Sequence, residues 1–227
     1  MLSCSFCDEI ARPERIKILY PEWPHENRII YSNEGALVWP DIAPLILPQA
    51  LIIPQTHFFS FLSSPRADRQ AMMELLHSLW KSQGFGSNHD NPAWILVFEY
   101  GGGTCDVNGN RVSGCIDHCH LHVVPGTNLL AKTFKDDRSA IPCNLSLYSP
   151  EDSRPYLFMG AYDGERWIKG TIDFSIGENP PRRNYFRDLC VETMDFARGS
   201  DRHGSNWRRR MNKKWTLYCY EMLKSAI

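Results

Sequence analysis

The chain has no hydrophobic run approaching the ~20 residues a membrane-spanning helix needs, so no such span is expected. Its opening, Met1-Leu2-Ser3-Cys4, lacks the charged and apolar regions of a secretory signal. Internal repeats and low-complexity segments are absent as well. The net charge of −1 gives no global argument for a nucleic-acid partner. Eight cysteines, at 4, 7, 105, 115, 119, 143, 190 and 219, are scattered, and without a signal they read as reduced thiols of a cytoplasmic protein, not as a disulfide framework.

What is present suits a packed protein. Hydrophobic residues make up 43% and aromatics 12% of 227 residues, ample for a core and for one domain, or one domain with an extension. Charge is uneven: residues 182–214 hold ten Lys/Arg against four Asp/Glu, a local net of +6. Residues 36–39 and 51–53 read as strands of an antiparallel hairpin joined by a turn with Pro40, Pro44 and Pro48. Ser64-Pro65 predicts a helix start, serine capping and proline at the first helical position. Met72, Met73, Leu75, Leu76, Leu79 and Trp80 recur at helical spacing until Gly84. Trp94–Glu99 reads as an apolar strand, 116–124 as a strand, and 156–162 with 166–174 as a hairpin around Asp163-Gly164. Residues 127–155 read as a surface connection and 185–197 as a helix. Strands flanking one long helix predict an α+β fold with an antiparallel sheet.

The densest chemistry lies in His118-Cys119-His120-Leu121-His122-Val123-Val124. On an extended strand, residues i, i+2 and i+4 share a face, so the three imidazoles form a row while Cys119, Leu121 and Val123 turn to a core. The bland alternative is three solvated histidines on an edge strand. Cys4 and Cys7 have the spacing that lets two thiolates reach one Zn²⁺. A CxxC alone also fits redox chemistry or two unrelated thiols.

These segments resemble the histidine-triad family. The His118–Val124 stretch resembles its His-x-His-x-His signature. Ala36–Pro44 and Leu51-Ile52-Ile53-Pro54-Gln55-Thr56-His57 resemble its nucleotide-binding hairpin, and Cys4-Ser5-Phe6-Cys7-Asp8-Glu9-Ile10 its zinc-type amino terminus. The resemblance covers about residues 1–130, implying a histidine-triad domain there and a mixed extension over 131–227. It implies His120 as nucleophile on the α-phosphorus of a nucleotide, with a backbone carbonyl fixing its tautomer, and His122 as donor to a phosphate oxygen. It implies a structural Zn²⁺ on Cys4, Cys7, His57 and His118. Asp41 falls at the family's ribose site, Trp39 and Ile42 at positions flanking the base, and Cys115 near the phosphate. Asp41 also reads as a turn aspartate, and Trp39 as core.

Three positions depart from the family pattern. Gly114 replaces a glutamine that bonds the leaving group, Ala50 replaces a histidine, and Glu99 replaces an asparagine before the glycine loop. A carboxylate there would repel a phosphate unless paired or turned away, and the other readings of Glu99 are a base or a group facing the ribose. The implied function is a nucleotide hydrolase or nucleotidyl transferase acting on a dinucleoside polyphosphate or nucleoside phosphoramidate. The alternatives are aprataxin-like removal of adenylate from nucleic-acid ends, using the basic segment around Trp207–Trp215, and a nucleotide-binding protein with little turnover. That basic segment reads first as a solvated helix face packed through its tryptophans. A homodimer is open, since many relatives are dimers.

Overall fold

The computed structural model describes residues 4–42, 44–45, 47–82, 95–102, 118–125, 155–173 and 213–226. Its strands are β1 (Tyr31–Ser32), β2 (Ala36–Pro40), β3 (Ala50–Pro54), β4 (Ile95–Gly101), β5 (Leu121–Pro125), β6 (Tyr156–Tyr162) and β7 (Trp167–Asp173). They form one seven-stranded sheet in the order β1-β2-β3-β5-β4-β6-β7, and every described pairing is antiparallel. Helices α1 (Ser5–Ala11), α2 (Ile16–Leu19), α3 (Arg66–Lys81) and α4 (Lys213–Ala226) complete the expected α+β architecture. None of the described helices is long and apolar enough to cross a membrane.

Alternation along the strands separates two faces. Ala36, Val38, Ala50, Ile52, Ile95, Val97, Leu121 and Val123 join the main core with Met72, Leu75, Leu76 and Leu79 of α3, whose spacing makes one helical stripe. Each fully buried Val, Leu, Ile or Met side chain among these contributes about 1.5–3 kcal/mol. The opposite face carries a smaller cluster, Leu37, Trp39, Leu51 and Ile53, capped by Phe6 of α1. As expected, Cys119 also lies in the main core, with Leu121 and Val123.

β5 is an interior strand, bonded to β3 on one side and β4 on the other, which removes the edge-strand alternative for His122. It begins at Leu121, later than expected; His118–His120 precede it, tied to the body by Cys119 N–H donating to Phe58 O at 2.6 Å. β4 is described over Ile95–Gly101, ending two residues beyond the expected Glu99. The α3 cap sits one residue later than expected. Pro65 takes the N-cap position with extended ψ 156°, while the Ser64 hydroxyl donates to Ser60 O at 2.8 Å. At the other end the Ser82 hydroxyl donates to Leu79 O at 2.6 Å, and the helix stops at Lys81.

The β6–β7 hairpin continues the same sheet, and its turn is built as the sequence suggests. Asp163 Oδ1 accepts from the Glu165 and Arg166 amides, and Gly164 takes φ +97°, a region that favours glycine. α4 was not anticipated. It buries Thr216, Cys219, Tyr220 and Leu223 and packs Tyr220 edge-on against Trp23 at 5.6 Å. The expected helix at 185–197, all but residue 155 of the connection over 127–155, Gly114, Cys115 and the cluster from Trp207 to Asn212 lie outside the described residues.

Candidate active site and metal centre

Cys4 is the N-cap of α1, its sulfur accepting from the Cys7 amide at 3.5 Å, so one helical turn brings both thiols to the same end. His57 follows β3, and His118 precedes β5, the strand paired with it. The ligand atoms of Cys4, Cys7, His57 and His118 all lie within 4.8 Å of one another. His118 Nδ1 is 3.5 Å from Cys4 Sγ and 3.4 Å from Cys7 Sγ; His57 Nδ1 is 3.2 Å from Cys7 Sγ. A tetrahedral ion with bonds of ~2.3 Å to sulfur and ~2.0 Å to nitrogen sets such pairs roughly 3.5 Å apart, so the cluster can hold a metal. His118 Nε2 donates to Pro54 O at 2.9 Å, which turns the Nδ1 lone pair toward the thiols. Burial, with the nearby His57, lowers His118 to about 4 and keeps it neutral, as a ligand must be. Burial and the adjacent Cys4 push the Cys7 thiol up to about 11, so a metal entering here displaces its proton.

His120 and His122 lie beside this cluster. His120 Nδ1 is 2.7 Å from His118 O, an acceptor only, so Nδ1 carries the hydrogen and Nε2 keeps its lone pair. Burial first, then His122 close by, lowers His120 to about 3. The ring is therefore neutral and nucleophilic through the physiological range. It packs edge-on against Phe6 at 5.4 Å and against His122 at 4.9 Å. His122 stacks on Phe98 of β4 at 4.6 Å, which holds the ring in plane.

Asp41 has a different neighbour from the one expected. Its carboxylate is 1% exposed, and Oδ2 lies 3.1 Å from His122 Nδ1 and 2.8 Å from Gln49 Nε2. It is thus drawn into the histidine site instead of standing open as a ribose acceptor. Trp39 is also inside, 1% exposed, between the Phe6 ring at 5.3 Å and the Arg28 guanidinium at 4.3 Å, so the structure favours the core reading over a base platform. Arg28 is itself held by a two-pronged pair to Glu9 of α1, at 2.6 and 2.9 Å. Ile42 is half-buried and its carbonyl accepts from Thr216 of α4 at 3.2 Å.

Glu99 is paired and turned away from the histidines, not a base or a ribose contact. It shares the parity of Ile95 and Val97, so it faces α3, across the sheet from His122 and Phe98. There Oε1 accepts from the Phe61 amide at 2.9 Å and Oε2 from the Tyr156 hydroxyl. It touches neither His120 nor His122 and is no base for them. His25 and His77 behave as surface or helix residues, bonded to Glu221 and to Gly164 O. Gln49 was missed; nothing in Leu47-Pro48-Gln49-Ala50 marks it except its place between the two hairpin strands.

No family model and no curated protein matches the chain. Among solved structures, a hypothetical histidine triad nucleotide-binding protein from Sulfolobus tokodaii is 19% identical, covering 54% of this chain and 68% of its own, with TM-score 0.36. A HIT family hydrolase from Clostridium thermocellum is 21% identical over 56% of this chain and 94% of its own, at TM-score 0.34. A zinc-bound histidine triad family protein from Mycobacterium smegmatis is 24% identical over 60% and 84%, at TM-score 0.36. The chain thus resembles the histidine-triad family in its motifs and is similar to solved structures of proteins so described.

Proposed function

We propose that the protein is a histidine-triad nucleotide hydrolase or nucleotidyl transferase that works through a His120–nucleotidyl intermediate. The observation that carries this reading is the pairing of His120 Nδ1 with the His118 carbonyl, which leaves a neutral Nε2 free to attack. Nε2 forms a bond to the α-phosphorus of a dinucleoside polyphosphate or nucleoside phosphoramidate as the bond to the leaving phosphate or amine breaks. His122, 4.9 Å away ring to ring, is placed to donate to a phosphate oxygen or to the departing group. Water, or another acceptor, then takes the nucleotidyl group from His120 and regenerates the imidazole.

The metal in this reading is zinc. A Cys₂His₂ set is a closed structural site, so zinc would fasten α1 to the β3 and β5 ends and hold Phe6 over His120. The nucleotide is the partner. The test is product release by mass spectrometry from dinucleoside polyphosphates, nucleoside phosphoramidates and adenylated DNA, comparing wild type with His120→Ala. Nucleoside monophosphate released by wild type and lost in the variant supports the reading. No turnover with nucleotide still bound contradicts it in favour of a binding protein.

A further inference from the structure

The chain's own carboxy-terminal helix is wired to His122 through buried polar groups. Cys219 of α4, 0% exposed, donates from Sγ to Gln49 O at 3.0 Å and accepts from Gln49 N at 3.3 Å. Gln49, also 0% exposed, accepts the Leu45 amide on Oε1 at 2.7 Å and gives its Nε2 hydrogen to Asp41 Oδ2 at 2.8 Å. The Asp41 amide in turn donates to Gln49 O at 3.0 Å. Thr216, one turn before Cys219, donates to Ile42 O at 3.2 Å. The far end of this chain of bonds is the 3.1 Å contact between Asp41 Oδ2 and His122 Nδ1.

A carboxylate withdrawn from water needs hydrogen-bond donors, and an imidazole N–H is a good one. With Nδ1–H committed to Asp41, the His122 ring is fixed in rotation and its Nε2 faces away from the carboxylate. A negative charge beside the ring also stabilises the imidazolium. Among the described residues, the titratable groups against His122 are Asp41 and His120; Leu51 of β3 and Phe98 of β4 present apolar surfaces.

We propose that Asp41 is a positioning residue that orients His122 as the acid that delivers a proton to the leaving group, and that α4, through Cys219 and Gln49, keeps Asp41 in place. In this step His120 forms the bond to phosphorus, the bond to the leaving group breaks, and the proton passes from His122 Nε2 to the departing oxygen or nitrogen. The inference rests on the reading of His120 as nucleophile. It gives the carboxy-terminal helix a part in the chemistry.

The experiment measures kcat and KM against pH for wild type, Asp41→Asn, His122→Ala, the double variant, Cys219→Val and Cys219→Ser, on phosphoramidates with leaving amines of graded basicity. Histidine NMR titration of the same proteins accompanies it. Asp41→Asn is expected to lower kcat by on the order of 100-fold with little change in KM, most for the poorest leaving group, as loss of an acid requires. It should also lower the His122 protonation midpoint, and the double variant should be no slower than His122→Ala. Cys219→Val should move kcat and the midpoint the same way, and Cys219→Ser, which keeps a donor and an acceptor, should restore them. A rise in KM at constant kcat in Asp41→Asn, or an unmoved His122 midpoint, overturns the proposal in favour of a ribose contact. If wild type has no turnover the proposed function falls, while the NMR midpoints still decide whether Asp41 and α4 control His122.

Discussion

Glu99 is 1% exposed, and burial raises its carboxyl from 4.5 to about 7, against the hydrogen bonds from Tyr156 and Phe61 that oppose the rise. An acid whose folded value lies above its unfolded one binds more protons when folded. Its contribution is therefore fully present below about pH 4.5 and is lost as pH climbs through about 7. A shift from 4.5 to about 7 is worth roughly 3 kcal/mol at 1.36 kcal/mol per unit. Glu99→Gln removes the ionisation and keeps an acceptor for the Phe61 amide. Its amide can donate to the Tyr156 hydroxyl, which already accepts from Leu62 N at 3.2 Å. Urea unfolding of both proteins at several pH values between 4.5 and 8 reads the effect. His118 and His120, held low by burial, make stability rise with pH over part of this range, but they act equally in both proteins and cancel in the difference. The variant should gain about 3 kcal/mol on wild type from pH 4.5 to 8. A difference that stays constant with pH would refute the assignment of a buried, titrating carboxyl.

Arg28→Ala should cost about 3–5 kcal/mol in unfolding free energy, because it strands the Glu9 carboxylate in a buried site; Arg28→Ala with Glu9→Leu should recover much of it. Elemental analysis should find one zinc per chain in wild type and none in Cys7→Ser, and chelation of wild type should lower Tm toward that of the variant. Gly101→Ala should destabilise by about 1–3 kcal/mol, since its new methyl would overlap the Tyr156 ring; thermal melts compare it with Gly101→Ala/Tyr156→Leu, where the clash is relieved.

The Cys4–Cys7 pair and the alternating histidines were legible in the sequence because both are short spacings, whereas His57 and His118 as their partners and the carbonyl that fixes the His120 tautomer came only from the resemblance to the histidine-triad family. Glu99 was not legible. The run Ile95-Leu96-Val97-Phe98-Glu99-Tyr100 is nearly all apolar, since β4 is covered on both faces, and such a strand gives no alternation from which to tell which side a carboxylate takes. The Asp41–Gln49–His122 contact joins residues eight and 73 positions apart in Gln49's case, and only strand pairing brings them together. α4 carries a clear stripe at 216, 219, 220 and 223, but the charged run that leads into it masks that stripe in the sequence. At Ser64 the cap position falls one residue later, on Pro65, which has no side-chain acceptor, and the serine hydroxyl instead donates to Ser60 O.

The most direct measurement of the central claim is the intact mass of the protein after rapid mixing with a nucleoside phosphoramidate or dinucleoside polyphosphate and base quench, followed by peptide mapping. The account predicts one added nucleotidyl group, stable in base and labile in acid as a phosphoramidate is, located on His120 and missing in His120→Ala. An adduct on another residue, or product released in step with substrate loss and no adduct at any time, would contradict it.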